Sequence, residues 1–173
     1  MKVKTKNETI DIEIFKESGK GNDKDFYEII AYNEQKDVLG FVNFSVGDKS
    51  IIYGYSANTI WMWLIQTNEN YQHSGIGQTL LNMMEYVAVI TGYTRIEGKY
   101  YPKNEFAKPF YLKNNYKIDI DDYDQFIIKD IEKKDVQFIK TRTQAQLCSP
   151  FEIKDISEKA NYDKKIEPST LEL

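Results

Sequence analysis

Residues 59–90 read TIWMWLIQTNENYQHSGIGQTLLNMMEYVAVI. An apolar, aromatic run over 59–65 passes through a polar turn, 66–74, into Gly75-Ile76-Gly77. A helical pattern follows from about Gln78 to Ile90. Ile76, Leu80, Met83, Met84, Val87 and Ile90 recur at spacings of three and four, so one side of that helix is buried. Strand, glycine turn and helix in this order form a device for holding a phosphate. The helix start presents unpaired N–H groups and a positive dipole end, and glycines let an anion approach the backbone closely. A Walker loop is set aside because no Gly-Lys-Ser/Thr is present. A dinucleotide fingerprint needs a third glycine, and Leu80 stands there.

Downstream, Gly92 suits a helix C-cap, and residues 94–100 (TRIEGKY) read as a short parallel strand. Residues 59–100 are then a right-handed βαβ unit. Upstream, residues 9–15 alternate apolar and polar, and 26–32 and 38–46 read as two further strands, joined by short polar turns as in an antiparallel meander. Residues 51–53 extend the third strand or form a short extra one. After residue 100 the pattern predicts a second helix over about 105–113, ended by Asn114-Asn115. Strands at 116–118 and 125–128 flank an acidic turn, and 136–139 reads as a last strand. From Lys140 onward the chain is polar, a tail that drapes on the domain or is mobile. The expected organisation is therefore one α/β (α+β) domain over 1–139 and a polar C-terminal extension over 140–173.

Composition narrows the function. The chain has 173 residues, 41% of them hydrophobic, enough for one domain with a real core. A net charge of −4 argues against a general nucleic-acid or anionic-membrane surface. The start lacks a signal-peptide pattern and no run of 18 apolar residues occurs, which points to a soluble cytoplasmic protein. The single cysteine, Cys148, excludes an internal disulfide framework, and the single histidine, His73, excludes multi-histidine zinc sites. No metal is expected.

Two motifs carry a family resemblance. Gln72-His73-Ser74-Gly75-Ile76-Gly77 resembles the Gln/Arg-x-x-Gly-x-Gly/Ala signature of the GNAT superfamily of acyl-CoA-dependent N-acetyltransferases. Some thirty residues on, Asn104 to Tyr116 (NEFAKPFYLKNNY) resembles that family's second signature. The resemblance covers roughly residues 25–130. It implies a mixed, mostly antiparallel sheet, with acetyl-CoA as cosubstrate and a primary amine as acceptor. The strand near Ile65 and Thr67 would pair with the pantetheine arm. Backbone N–H groups of His73, Ser74, Gly75, Ile76, Gly77 and Gln78, after Gln72, would hold the pyrophosphate. Asn104 would orient the cofactor or the second helix, although an ordinary helix cap explains it equally well. Tyr111 would act as general acid to the leaving thiolate.

The sequence departs from the family pattern in two places. Asn115-Tyr116 replaces the usual Gly-Phe, a mild change because Asn tolerates a left-handed cap. The N-terminal helical region is shortened: the turn between Phe15 and Phe26 has no room for the helices that usually wall the acceptor site. Residues 47–58, or a partner subunit in a homodimer, would supply that wall. The general base stays open between Glu69, Glu97 and a water relay, both carboxylates being read as solvated surface groups. The acceptor, a small molecule or a protein amine, is not identified by the sequence. A GNAT-like module that binds CoA or a protein without catalysis is the alternative.

Overall fold

A computed structural model of the chain describes residues 1–5, 9–19, 25–46, 58–120, 124–132, 134 and 152–159. Strand β1 is Lys2–Lys4, β2 Thr9–Glu17, β3 Asp25–Tyr32, β4 Val38–Val46 and β5 Thr59–Thr67. Helix α1 is Ile76–Ile90, followed by β6 Arg95–Lys99, helix α2 Ala107–Lys113, β7 Lys117–Ile120, β8 Gln125–Asp130 and β9 Ile153–Asp155. These strands form one sheet in the order β1-β2-β3-β4-β5-β6-β8-β7. The expected meander is present, and β5 and β6 pair in parallel across α1. The expected strands over 51–53 and 136–139 lie outside the described residues.

The alternation read in the sequence sets the core. Ile10, Ile12 and Ile14 of β2, Tyr27 and Ile29 of β3, Val42 and Phe44 of β4, Ile60 and Met62 of β5 and Ile96 of β6 are buried on one sheet face. They pack there with Leu80, Met83, Met84 and Val87 of α1. That helix is more enclosed than a one-sided pattern suggests: Leu81, Glu85, Tyr86 and Ala88 are buried too, while Ile90 is exposed. It also begins two residues earlier than expected, at Ile76, because Gly75 already serves as its N-cap.

Residues 152–159 of the C-terminal extension join the fold. β9 pairs in parallel with β2, Ile14 opposite Ile153. A 3₁₀ turn, Ile156–Glu158, then lays Ile156 against Phe15, Ile30 and Tyr32 on the sheet face opposite α1. The Lys159 ammonium lies 2.7 Å from the Glu28 carboxylate. A polar segment of weak periodicity gives no strand signal, yet three residues suffice here because the β2 edge supplies the template. Among the described residues no helix is long and apolar enough to cross a membrane.

One glycine fixes how closely β4 and β5 run beneath α1. A Cβ on Gly40 would lie 2.6 Å from the Gln66 carbonyl oxygen, 3.2 Å from Thr67 Cα and 3.2 Å from Leu80 Cδ1. Two of these neighbours are backbone and cannot rotate away. Gly40→Ala is therefore expected to cost about 1–3 kcal/mol through overpacking, read as a lower urea midpoint. An unchanged midpoint would show that β5 shifts freely.

Candidate functional site

The site is built where β5 parts from β6. The parallel pairing runs from Thr59 opposite Arg95 to Met62 opposite Gly98 and stops there. On its other edge β5 stays paired with β4 as far as Thr67 opposite Gly40. Residues 63–67 therefore carry one edge with no partner strand among the described residues, facing a fork in the sheet. Gly98 permits the last close approach, since a Cβ there would meet the Met62 carbonyl oxygen at 2.8 Å.

A β-bulge sits at the fork. Phe44 opposes Met62 and Asn43 opposes Leu64, leaving Trp63 as the extra residue. A bulge shifts the in–out alternation by one. Ile65 consequently shares a face with its partner Val42 and packs against the core, and Thr67 comes to the helix side. The Trp63 indole N–H donates to Ser45 Oγ at 3.0 Å.

The glycine turn lies at the same end. Asn68 closes the strand by donating its N–H to the Leu39 carbonyl at 2.8 Å. A 3₁₀ turn, Glu69–Tyr71, follows. Ser74 is used internally: its hydroxyl donates to the Tyr71 carbonyl at 2.5 Å, and its N–H reaches the same oxygen at 3.4 Å. His73 and Gly75 have φ of 62° and 94°, left-handed conformations that suit glycine at the second position. No side chain caps α1. The first helical bond is Thr79 N–H to the Gly75 carbonyl at 3.0 Å, so the N–H groups of Ile76, Gly77 and Gln78 have no intrahelical acceptor.

The second motif meets this turn. A Cβ on Gly77 would stand 3.2 Å from Thr67 Oγ1 and 3.8 Å from the Phe110 ring. The His73 ring lies edge-on to Phe106, centroids 6.0 Å apart. The Gln78 side-chain amide donates to Asn114 Oδ1 and, at 3.0 Å, to Asn82 Oδ1. Ile65, Thr67, Gly77, Gln78 and α2 are thus brought together, with His73 and Gly75 at the rim of the same turn. Gln72 and Asn104 are exposed. Asn104 Oδ1 accepts the Phe106 N–H at 3.1 Å, a turn that leads into α2, which starts two residues later than expected. The N-cap of α2 is Phe106, without a side-chain bond, so Asn104 shapes the turn before the helix and does not cap it.

Tyr111 projects from α2 into an aromatic group with Tyr100, Phe110 and Tyr116, at centroid distances of 6.2, 5.3 and 5.7 Å. It is 5% exposed, and burial pushes its phenol above the ordinary range. The hydroxyl is protonated at neutral pH and is a weaker acid than an exposed tyrosine.

Of the two candidate base carboxylates, one differs from expectation. Glu69 is exposed, as expected for a surface turn. Glu97 is not a solvated group: it is 4% exposed, and one of its oxygens accepts the Arg95 Nε–H. The alternation of a five-residue strand with polar ends was too short to show this. Glu85 was not singled out at all. It is the one charged residue in α1, and its Oε1 accepts the Tyr116 hydroxyl at 3.1 Å and the Lys129 ammonium at 2.7 Å. A lone acid inside an apolar helix is the signal that points to such a buried partner.

A mixed sheet forked between two parallel strands, with an uncapped helix start at the fork, defines a GNAT-type fold. The chain belongs to the acetyltransferase (GNAT) family, whose model matches residues 4–116. Among solved structures it is similar to the PaiA N-acetyltransferase of Thermoplasma acidophilum in complex with coenzyme A, at 21% identity and TM-score 0.52. That match covers 61% of this chain and 61% of the other, so this chain spans less than two thirds of that protein's length. It is also similar to a GNAT-family acetyltransferase of Staphylococcus aureus Mu50 (16% identity, TM-score 0.52, 62% and 69% of the two chains). An acetyltransferase of Bacillus cereus gives 19% identity and TM-score 0.52 over 64% and 76%. At these identities the likeness is one of fold. No curated protein matches the chain.

Proposed function

We propose that the chain transfers an acetyl group from acetyl-CoA to a primary amine by direct attack. The observation that carries this reading is the free edge of β5 beyond Met62, standing beside an uncapped helix start. An extended pantetheine arm fits a strand edge because it carries amide groups of its own. The pyrophosphate fits the N–H groups of Gly75, Ile76, Gly77 and Gln78 and the positive end of α1. Gly77 leaves room there, with Thr67 Oγ1 and the Phe110 ring as its nearest neighbours. The membership in the GNAT family and the coenzyme A complex of the Thermoplasma acidophilum relative support the same cofactor.

In the reaction the amine nitrogen attacks the thioester carbonyl, the C–S bond breaks, and the amine gives up a proton. On this reading Tyr111 donates its hydroxyl proton, or a hydrogen bond, to the departing sulfur. Acetyl-CoA at about a hundredfold above its dissociation constant is expected to stabilise the fold by roughly 2.7 kcal/mol, visible as a thermal shift. Thiol release with a panel of primary amines is the companion assay. A thermal shift without turnover on any amine would favour a binding module, and no shift at all would sink the cofactor site.

A further inference from the structure

Helix α2 cannot fix Tyr111 by itself. It is seven residues long, and Tyr111 is its one buried residue. A helix of that length is marginal alone, so its place is set by bonds to neighbouring elements. Asn114, its C-cap, supplies them. Asn114 is 9% exposed, and each of its four polar groups is used. Its N–H donates to the Tyr111 carbonyl at 3.0 Å, and its side-chain amide donates to the Phe110 carbonyl at 2.8 Å. Its carbonyl accepts from the Lys129 ammonium at 2.9 Å. Its Oδ1 accepts from the side-chain amide of Gln78.

Gln78 stands in the first turn of α1, and its own N–H is among those left without an intrahelical acceptor. A second bond, to Asn82 Oδ1 at 3.0 Å, holds its side chain along the helix. The residue before it, Gly77, lies against the same part of α2, where a Cβ would stand 3.8 Å from the Phe110 ring. The turn that offers N–H groups to a pyrophosphate therefore also grips the end of α2 that carries Tyr111. The start of α1 becomes a common reference for both ends of the cofactor arm, the anion at one and the reacting sulfur at the other.

We infer that Gln78 and Asn114 are positioning residues for the reaction: their side-chain bond clasps α2 to the start of α1 and sets where the Tyr111 hydroxyl stands relative to bound acetyl-CoA. This rests on the acyl-transfer reading. Both residues act through Tyr111 rather than on the reacting atoms.

The test is made on the full chain carrying Gln78→Ala. That change removes the donor of the clasp and keeps the backbone N–H, and alanine preserves the helix. Thiol release is followed at saturating acetyl-CoA, so a weaker hold on the cofactor does not enter. The kcat should fall about tenfold or more, as for a small displacement of a catalytic group. In the Tyr111→Phe background the same substitution should change kcat by less than about twofold, because the hydroxyl it places is gone. Gln78→Lys, which again offers Asn114 Oδ1 a donor, should recover most of the rate. Amide hydrogen exchange over residues 110–116 reads the clasp without chemistry, and Gln78→Ala should speed it about tenfold, Gln78→Lys much less. Equal losses of rate in the wild-type and Tyr111→Phe backgrounds would make the role merely structural and overturn the inference, as would unchanged exchange in Gln78→Ala. A wild type without turnover, or a Tyr111→Phe protein as fast as wild type, refutes the acyl-transfer or acid reading instead, and exchange in α2 still judges the clasp.

Discussion

Glu85→Ala is expected to lower the free energy of unfolding by about 3–5 kcal/mol, the cost of removing one member of a buried ion pair. The Glu85 side chain is nearly inaccessible and the Lys129 side chain only slightly less so. Alanine would leave the Lys129 ammonium against an apolar wall with only the Asn114 carbonyl, at 2.9 Å, as acceptor. It would also strip the Tyr116 hydroxyl of its acceptor in a site where burial, then the Glu85 carboxylate, raises the phenol well above its ordinary range. Tyr116→Phe removes one neutral donor and leaves the ion pair intact, so it should cost only about 1 kcal/mol. Glu85→Gln, which keeps an acceptor for both neighbours, should fall between the two. Urea denaturation of the three variants gives the order, and a Glu85→Ala protein as stable as Tyr116→Phe would refute the account. The same network reaches the candidate site. Asn114, which takes Lys129 on its carbonyl, takes Gln78 on its side chain and donates to the Phe110 carbonyl at 2.8 Å. Loss of Glu85 should therefore also weaken the thermal response to acetyl-CoA, because α2 is no longer held against the start of α1.

The same network shows why some features were legible in the sequence and others were not. The strand at 9–15 announced itself by alternation with a period of two, and 26–32 and 38–46 by their apolar, aromatic runs between polar turns, although both faces of this part of the sheet carry buried residues. The helix after Gly75 did so with its own period. The Trp63 bulge left no such mark. The run TIWMWLIQT is apolar at nearly every position, so shifting the alternation by one residue changes nothing in the pattern. Glu85 and Glu97 were hidden for the opposite reason. Charge normally reads as surface, and only the partners Lys129 and Arg95, which sequence distance or brevity of the strand concealed, make burial tolerable. The Tyr116 departure from the family's phenylalanine is explained by the hydroxyl's bond to Glu85. β9 depends on an edge that β2 presents, and its three residues carry no pattern of their own.

Tyr111→Phe is the second change with a large expected effect, and it isolates a single hydroxyl. Tyr111 packs edge-on or tilted against Tyr100, Phe110 and Tyr116, contacts that a phenylalanine ring keeps. Stability should therefore change little, whereas Tyr111→Ala would open a cavity and cost about 3–5 kcal/mol, as large aromatic deletions do. If the hydroxyl donates to the departing sulfur, its loss should reduce kcat by about 10²–10⁴-fold, the range of general acid catalysis, with the acetyl-CoA KM nearly unchanged. Burial favours the lower part of that range. A phenol pushed above its usual pKa gives up its proton less readily, and each unit costs 1.36 kcal/mol of driving force, so it stabilises the sulfur more by a donated hydrogen bond than by full transfer. Stopped assays of thiol release at saturating acetyl-CoA separate the outcomes. A rate within about twofold of wild type, with the fold and cofactor response intact, would remove Tyr111 from the chemistry and leave it as a core residue. A matched fall in kcat and in thermal stability would show instead that the ring, and not its hydroxyl, carries the effect.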